Sequence, residues 1–166
     1  QTAESVQENA PAKSPSVSPD FQAPLAVVKP LRFTLVSAVS ADTLLACELP
    51  EWAGGLLEGR LTGLCSDLLR ALSPSAQEAD WQYFHWPIAG VKDHSHEAAL
   101  GALDAWLHRR WAETTSTDPV IALAVSQIDL SSIFSDAWVL PSLGELAVSS
   151  DAKRSAWGVI QERAHG

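Results

Sequence analysis

"PVIALAV", Pro119–Val125, is apolar at almost every position. A strand of this kind is covered on both faces, as central strands are in sheets flanked by helices. Its neighbours fit that reading. Upstream, "HEAALGALDAWLHRRW", His96–Trp111, repeats Leu100, Leu103, Trp106 or Leu107, and Arg110 or Trp111 every three to four residues. That is an amphipathic helix, with Ser95 placed to cap its N-terminus. Downstream, "AWVLPSLGEL", Ala137–Leu146, reads as a short strand and then a helical turn capped by Ser142. "SSDAKRSAWGVIQERA", Ser149–Ala164, reads as a closing helix, with Ser150 or Asp151 as its cap. Ala152, Ala156, Trp157 and Ile160 are expected to face inward, and Trp138 joins the core.

The same logic organises the first half. "LRFTLVSAV", Leu31–Val39, alternates apolar and polar residues, and "TLLACELP", Thr43–Pro50, follows after a short turn. Together they predict an opening hairpin. "LLEGRLTGLCSDLLRAL", Leu56–Leu72, puts Leu57, Leu61, Leu64, Leu68 and Leu72 at helical spacing, and Ser73-Pro74 stops it. Gly59 and Gly63 lie four apart and suggest close packing of this helix on a sheet. "WQYFHW", Trp81–Trp86, predicts an aromatic strand ended by Pro87. Strands separated by helices imply an α/β fold. The expected domain covers residues 25–166 and is three-layer-like, with a mixed, partly parallel sheet flanked by helices. Residues 1–24 are rich in Ser, Pro, Ala and Gln and are expected to form a disordered tail or linker.

Composition narrows the function. The 166 residues carry 20 acidic and 11 basic side chains, a formal charge of −9. Affinity for a phosphate backbone comes from Lys and Arg, so direct nucleic-acid binding is not expected. No apolar run is long enough for a membrane span, and no signal-peptide pattern is present, so a cytoplasmic protein is expected. Seven tryptophans are many for this length, and tryptophan anchors both cores and protein interfaces. Trp52, Trp86, Trp106 and Trp111 are the candidate partner-binding residues, each with a core reading beside it. The chain contains no methionine, which points to a processed form or a fragment.

"DWQYFHWPIAGVKDHSHE", Asp80–Glu97, concentrates chemistry-bearing residues. His94 and His96 form an HxH pair beside Asp93 and Glu97, with His85 upstream. A zinc site needs three or four converging ligands. The simpler reading is a solvated loop leading into a helix N-terminus, where Asp93 and Glu97 are favoured by the dipole. His85, between Phe84 and Trp86, reads as a hydrogen-bonded core residue. The sequence shows no GxSxG, GxGxxG or P-loop, and Glu51 and Glu58 flank Gly54-Gly55. No catalytic residues, metal site or cofactor are therefore expected.

Two stretches carry a family resemblance. The first is "LLACELPEWAGGLLEGRLTGLCSDLLRALSPSAQEADWQYFHWP", and the second is "AWVLPSLGELAVSSDAKRSAWGVIQ". Both resemble the psi subunit of bacterial DNA polymerase III, a small α/β accessory of the clamp loader. The resemblance covers roughly Leu31 to Arg163. It implies a non-catalytic adaptor that binds the chi subunit through its folded domain, in a heterodimer within a larger complex. Chi in turn holds single-strand DNA-binding protein. In the family a short N-terminal peptide binds the clamp-loader collar. Residues 1–24 contain no match to it, so that peptide is expected upstream.

Two other readings stand beside this one. The first is a small hydrolase built on His85, His94 and His96, which requires those side chains to converge. The second is an exported domain closed by a Cys47–Cys65 disulfide. The same two cysteines read equally as buried thiols in a reducing compartment.

Overall fold

A computed structural model describes residues 30–77 and 79–165. Strand β1 (Phe33–Val39) turns at Ser40–Asp42 into β2 (Thr43–Glu48), the expected hairpin. A short 3-10 turn (Glu51–Ala53) leads to helix α1 (Arg60–Leu72), then to β3 (Gln82–Trp86) and α2 (His96–Trp111). Strands β4 (Val120–Ala124) and β5 (Trp138–Leu140) and helices α3 (Leu143–Val148) and α4 (Ser150–Ala164) complete the chain. The strand order is β3-β1-β2-β4-β5. β1 pairs antiparallel with β2 and β3, whereas β2–β4 and β4–β5 are parallel.

This is the mixed α/β sheet expected from the sequence. β2 is buried at all six positions because both of its faces are covered. On one face Val36, Leu45, Cys47 and Ala124 pack under α1, α3 and α4 through Leu61, Cys65, Leu68, Leu143, Leu146 and Ile160. On the other, Leu35, Ala46, Phe84 and Trp86 pack under α2 through Ala99, Leu103, Trp106 and Leu107. The segment between β4 and β5 adds Ile128, Leu130 and Ala137 to that second layer. The compact folded unit starts at Leu31. The expected boundary at Leu25, and the tail 1–24, lie outside the described residues.

Several expectations about α1, β5 and α4 are corrected. α1 starts at Arg60, not Leu56, because its N-cap Gly59 holds φ 56°, a left-handed value that breaks the helix. Residues 56–59 instead form a strap, with the Leu57 N–H donating to the Tyr83 hydroxyl at 3.1 Å. A side chain at Gly63 would meet open space, so the Gly59–Gly63 pair brings no close approach to the sheet. On α4 the cap is Ser149, whose hydroxyl accepts the Ala152 N–H. Ala156 and Ile160 are buried there, but Trp157 is 52% exposed and Trp138 only half-buried. Ser142 caps α3 as expected, in a reciprocal capping box with Glu145.

Two polar anchors hold the α2 layer. Arg110, 2% exposed, donates from Nε to Ser37 Oγ (2.9 Å) and from Nη2 to the carbonyls of Ser37 (3.1 Å) and Asp80 (3.2 Å). Its Nη1 pairs with Glu113 at 2.6 Å. Glu48, equally buried, accepts through Oε2 from Ser126 N, Ser126 Oγ and Gln127 N. At the opposite end of β2, Asp42 Oδ1 accepts from Ser73 (2.6 Å), Ser40 (2.9 Å) and Thr43 (3.1 Å), tying the hairpin turn to the end of α1.

Arg110→Ala removes a buried cation and strands the groups it serves. It is expected to lower unfolding stability by about 3–5 kcal/mol, and Arg110→Met, which restores the apolar stem, by clearly less. Urea unfolding of both variants tests this. The Ser73 hydroxyl, with Ser40 and Thr43, holds the Asp42 carboxyl below its ordinary value. A lowered folded pKa stabilises above the unfolded value of about 4, and this contribution is lost as pH falls through the folded value. Stability of an Asp42→Asn variant is therefore expected to fall less steeply below about pH 4 than that of the parent, as read from urea midpoints across an acid series.

Candidate functional site

The three histidines of the Asp80–Glu97 stretch do not converge. On β3, Phe84 and Trp86 face α2, so His85 points to the opposite side of the sheet. There it is exposed, stacks on Tyr83 at 5.6 Å and shares a 3.1 Å hydrogen bond with Thr34. The expectation of a core histidine is corrected: strand alternation puts it outward on an edge strand. Gly55 crosses above it, and a Cβ there would touch Thr34 and His85 at 3.5–3.7 Å. His94 sets its ring edge-on to Trp86 at 6.3 Å and donates from Nε2 to the Val91 carbonyl at 2.7 Å. His96 is the exposed first residue of α2. Among the described residues, no group of three or more His, Cys, Asp or Glu side chains is placed to hold a metal ion.

The segment before α2 is the loop and cap expected of it. Ser95 accepts the Ala98 N–H. Asp93 accepts the Ser95 backbone N–H at 2.9 Å, and this bond lowers its pKa.

The candidate tryptophans separate by burial. Trp86 (4% exposed) and Trp106 (8%) belong to the α2 layer, where Phe33, Phe84 and Trp106 form an aromatic stack with centroids 5.3–5.9 Å apart. They are core residues, corrected from the candidate surface set. Trp52, on the 3-10 turn, is 65% exposed, and Trp111, at the end of α2, 40%. Trp157 joins them on α4, a residue assigned to the core from its helical spacing.

Two concave surfaces carry exposed tryptophans. An apolar groove of about 310 Å³ runs between α1 and α4, walled by Leu64, Leu68, Ala71, Leu146, Ala156 and Trp157, with Asp67 and Lys153 at its edges. Buried apolar residues make its floor, and Trp157 is the large ring that can still be covered. On the α2 side a cleft of about 460 Å³ opens between the last turn of α2 and the start of β4, with Trp111 on its wall. Apolar concavity with a tryptophan at hand is what a protein interface uses as an anchor point.

Cys47 on β2 and Cys65 on α1 are both free and buried. A hydrogen bond from Cys65 and full burial push the Cys47 thiol well above its ordinary value, so it stays protonated and unreactive. Both thiols are expected to be silent to a thiol reagent in the native chain and to react together on unfolding. A disulfide would instead leave no thiol to react in denaturant.

Among the described residues no helix is long and apolar enough to cross a membrane. No family model, no curated protein and no solved structure matches the chain, so the likeness to psi stands on its two quoted stretches alone.

Proposed function

We propose that the chain is a non-catalytic adaptor of psi type in the bacterial DNA polymerase III holoenzyme. In this reading it works in the cytoplasm without touching nucleic acid itself. It pairs with the chi subunit, and so with single-strand DNA-binding protein, and it links them to the clamp loader. The observation that carries the reading is where the two psi-like stretches meet. The first supplies Leu64, Leu68 and Ala71 on α1, and the second supplies Leu146, Ala156, Trp157 and Ile160 on α3 and α4. Residues far apart in sequence thus build one apolar groove, and that groove keeps a tryptophan half in solvent. An exposed tryptophan above an apolar floor adds little to the stability of the free chain and much to an interface that covers it. We assign this groove to chi.

Titration calorimetry against chi from the same organism is expected to give one-to-one binding with a negative heat-capacity change, the mark of apolar burial. Trp157→Ala is expected to weaken it by about 2 kcal/mol or more while leaving urea stability nearly unchanged. Trp106→Ala, in the core, is expected to cost about 3–5 kcal/mol of stability instead. Absence of chi binding by the folded parent chain sinks the psi reading.

A further inference from the structure

The cleft at the end of α2 has a chemistry that the groove between α1 and α4 lacks. Two aromatic residues of the α2 layer line it, Trp111 from α2 and Phe134 from the segment before β5. Trp138 of β5 borders it, with its ring packed on the other face of the sheet. Asp118 and Asp136 line it as well, and among the described residues neither carboxylate has a partner. Among the described residues that line it there is no lysine or arginine. His108 is already engaged: its Nδ1 meets Asp104 Oδ1 at 2.6 Å, and its ring lies against Phe134 at 4.9 Å.

Such a cleft is complementary to a cation. The negative faces of aromatic rings attract a guanidinium or ammonium within about 6 Å, and unpaired carboxylates bind a guanidinium through charge-assisted hydrogen bonds. The protein already uses this kind of contact on the other face of the sheet, where Arg163 of α4 lies 5.8 Å over the Trp138 ring. An anionic ligand would meet two carboxylates and, among the described lining residues, no lysine or arginine to offset them. The chain as a whole carries −9, so its field draws a basic segment toward the site. The volume of about 460 Å³ exceeds one arginine head and leaves room for the backbone on either side of it.

We infer that this cleft is a docking site for a basic segment of a protein partner, which inserts an arginine side chain beside Trp111 and Phe134 and pairs it with Asp118 and Asp136. This inference does not rest on the psi reading and holds whether or not that partner is chi. The occupant is polypeptide, because an acidic cleft repels nucleic acid and anionic lipid alike.

The test is an NMR titration of the full chain, with the tryptophan indole N–H resonances assigned by single Trp→Phe substitutions. The probe is acetyl-Ala-Arg-Arg-Ala-amide. Its control is the same peptide with citrulline for arginine, which keeps the shape and loses the charge. The arginine peptide is expected to move the Trp111 resonance, saturating in the millimolar range, and to leave Trp52 and Trp157 in place. Asp118→Asn with Asp136→Asn is expected to weaken binding about tenfold or more. Trp111→Leu, which keeps apolar volume and removes the ring face, is expected to weaken it about fivefold. Equal shifts with citrulline, no shift of Trp111, or unchanged affinity in both variants overturn the inference. So does guanidinium chloride that matches the peptide at equal concentration, since the polypeptide would then add nothing.

Discussion

The buried guanidinium of Arg110 is the interaction on which the α2 layer depends. An arginine head taken out of water is tolerated only when its donors are matched. Here Ser37 on β1, the carbonyl of Asp80 ahead of β3 and Glu113 after α2 supply the partners. One side chain therefore fixes the end of α2 against the hairpin and against the entry to the edge strand. The neighbouring positions follow from it. With Arg110 turned inward, Leu107 lies on the same buried face one turn back, and Trp111 is turned to the surface. The same constraint that stabilises the layer thus aims the tryptophan of the cleft, and stability and recognition are coupled through adjacent residues.

Glu48 plays the corresponding part at the other end of the sheet. β2 and β4 run parallel, and where they end the chain must leave the ladder without stranding its N–H groups. The carboxylate of Glu48 takes the N–H groups of Ser126 and Gln127, and so starts the segment that carries Ile128 and Leu130 under α2. β4 and β5 are adjacent and parallel, joined by the irregular residues 125–137 rather than by a helix. That connection packs because its apolar side chains enter the second layer, and because the Asp129 carboxylate turns it by accepting from Ser131.

Much of this was legible in the sequence, for physical reasons that also mark where legibility stops. Uniformly apolar "PVIALAV" identified β4, since only a strand covered on both faces tolerates that composition. Ser95 and Ser142 announced helices because a capping hydroxyl acts on the very next turn. Local patterns do not say which face of an element another element covers. Trp157 follows Ala156 on α4 and shares the helical arc expected to be inside, but of these residues only Ala156 and Ile160 are buried, and Trp157 is left on the wall of an open groove. His85 was read from its aromatic neighbours, whereas strand alternation turned it away from them. Spacing left Arg110 or Trp111 as the last inward position of α2, and it could not choose Arg110, because the partners Ser37 and Asp80 that satisfy it are distant in sequence. The site features share this character. The cleft and the groove are assembled across the sheet, and no single segment contains either.

The two surfaces lie on opposite layers of the molecule. Trp111 belongs to α2, on one face of the sheet, and Trp157 to α4, on the other. Partners docked at these tryptophans would be separated by the full thickness of the sheet and would not compete for area. Their chemistry differs as well: one surface is apolar, the other aromatic and acidic. Such a difference sorts partners, since a basic anchor loses its charge pairing in the groove, and an apolar helix leaves Asp118 and Asp136 desolvated and unpaired in the cleft. A proposed adaptor needs both properties, because a bridge holds two partners at once and must not exchange them. A five-stranded sheet covered on both faces supplies the rigid spacer between them. For the proposed adaptor, a net negative charge is suited to keeping it off nucleic acid.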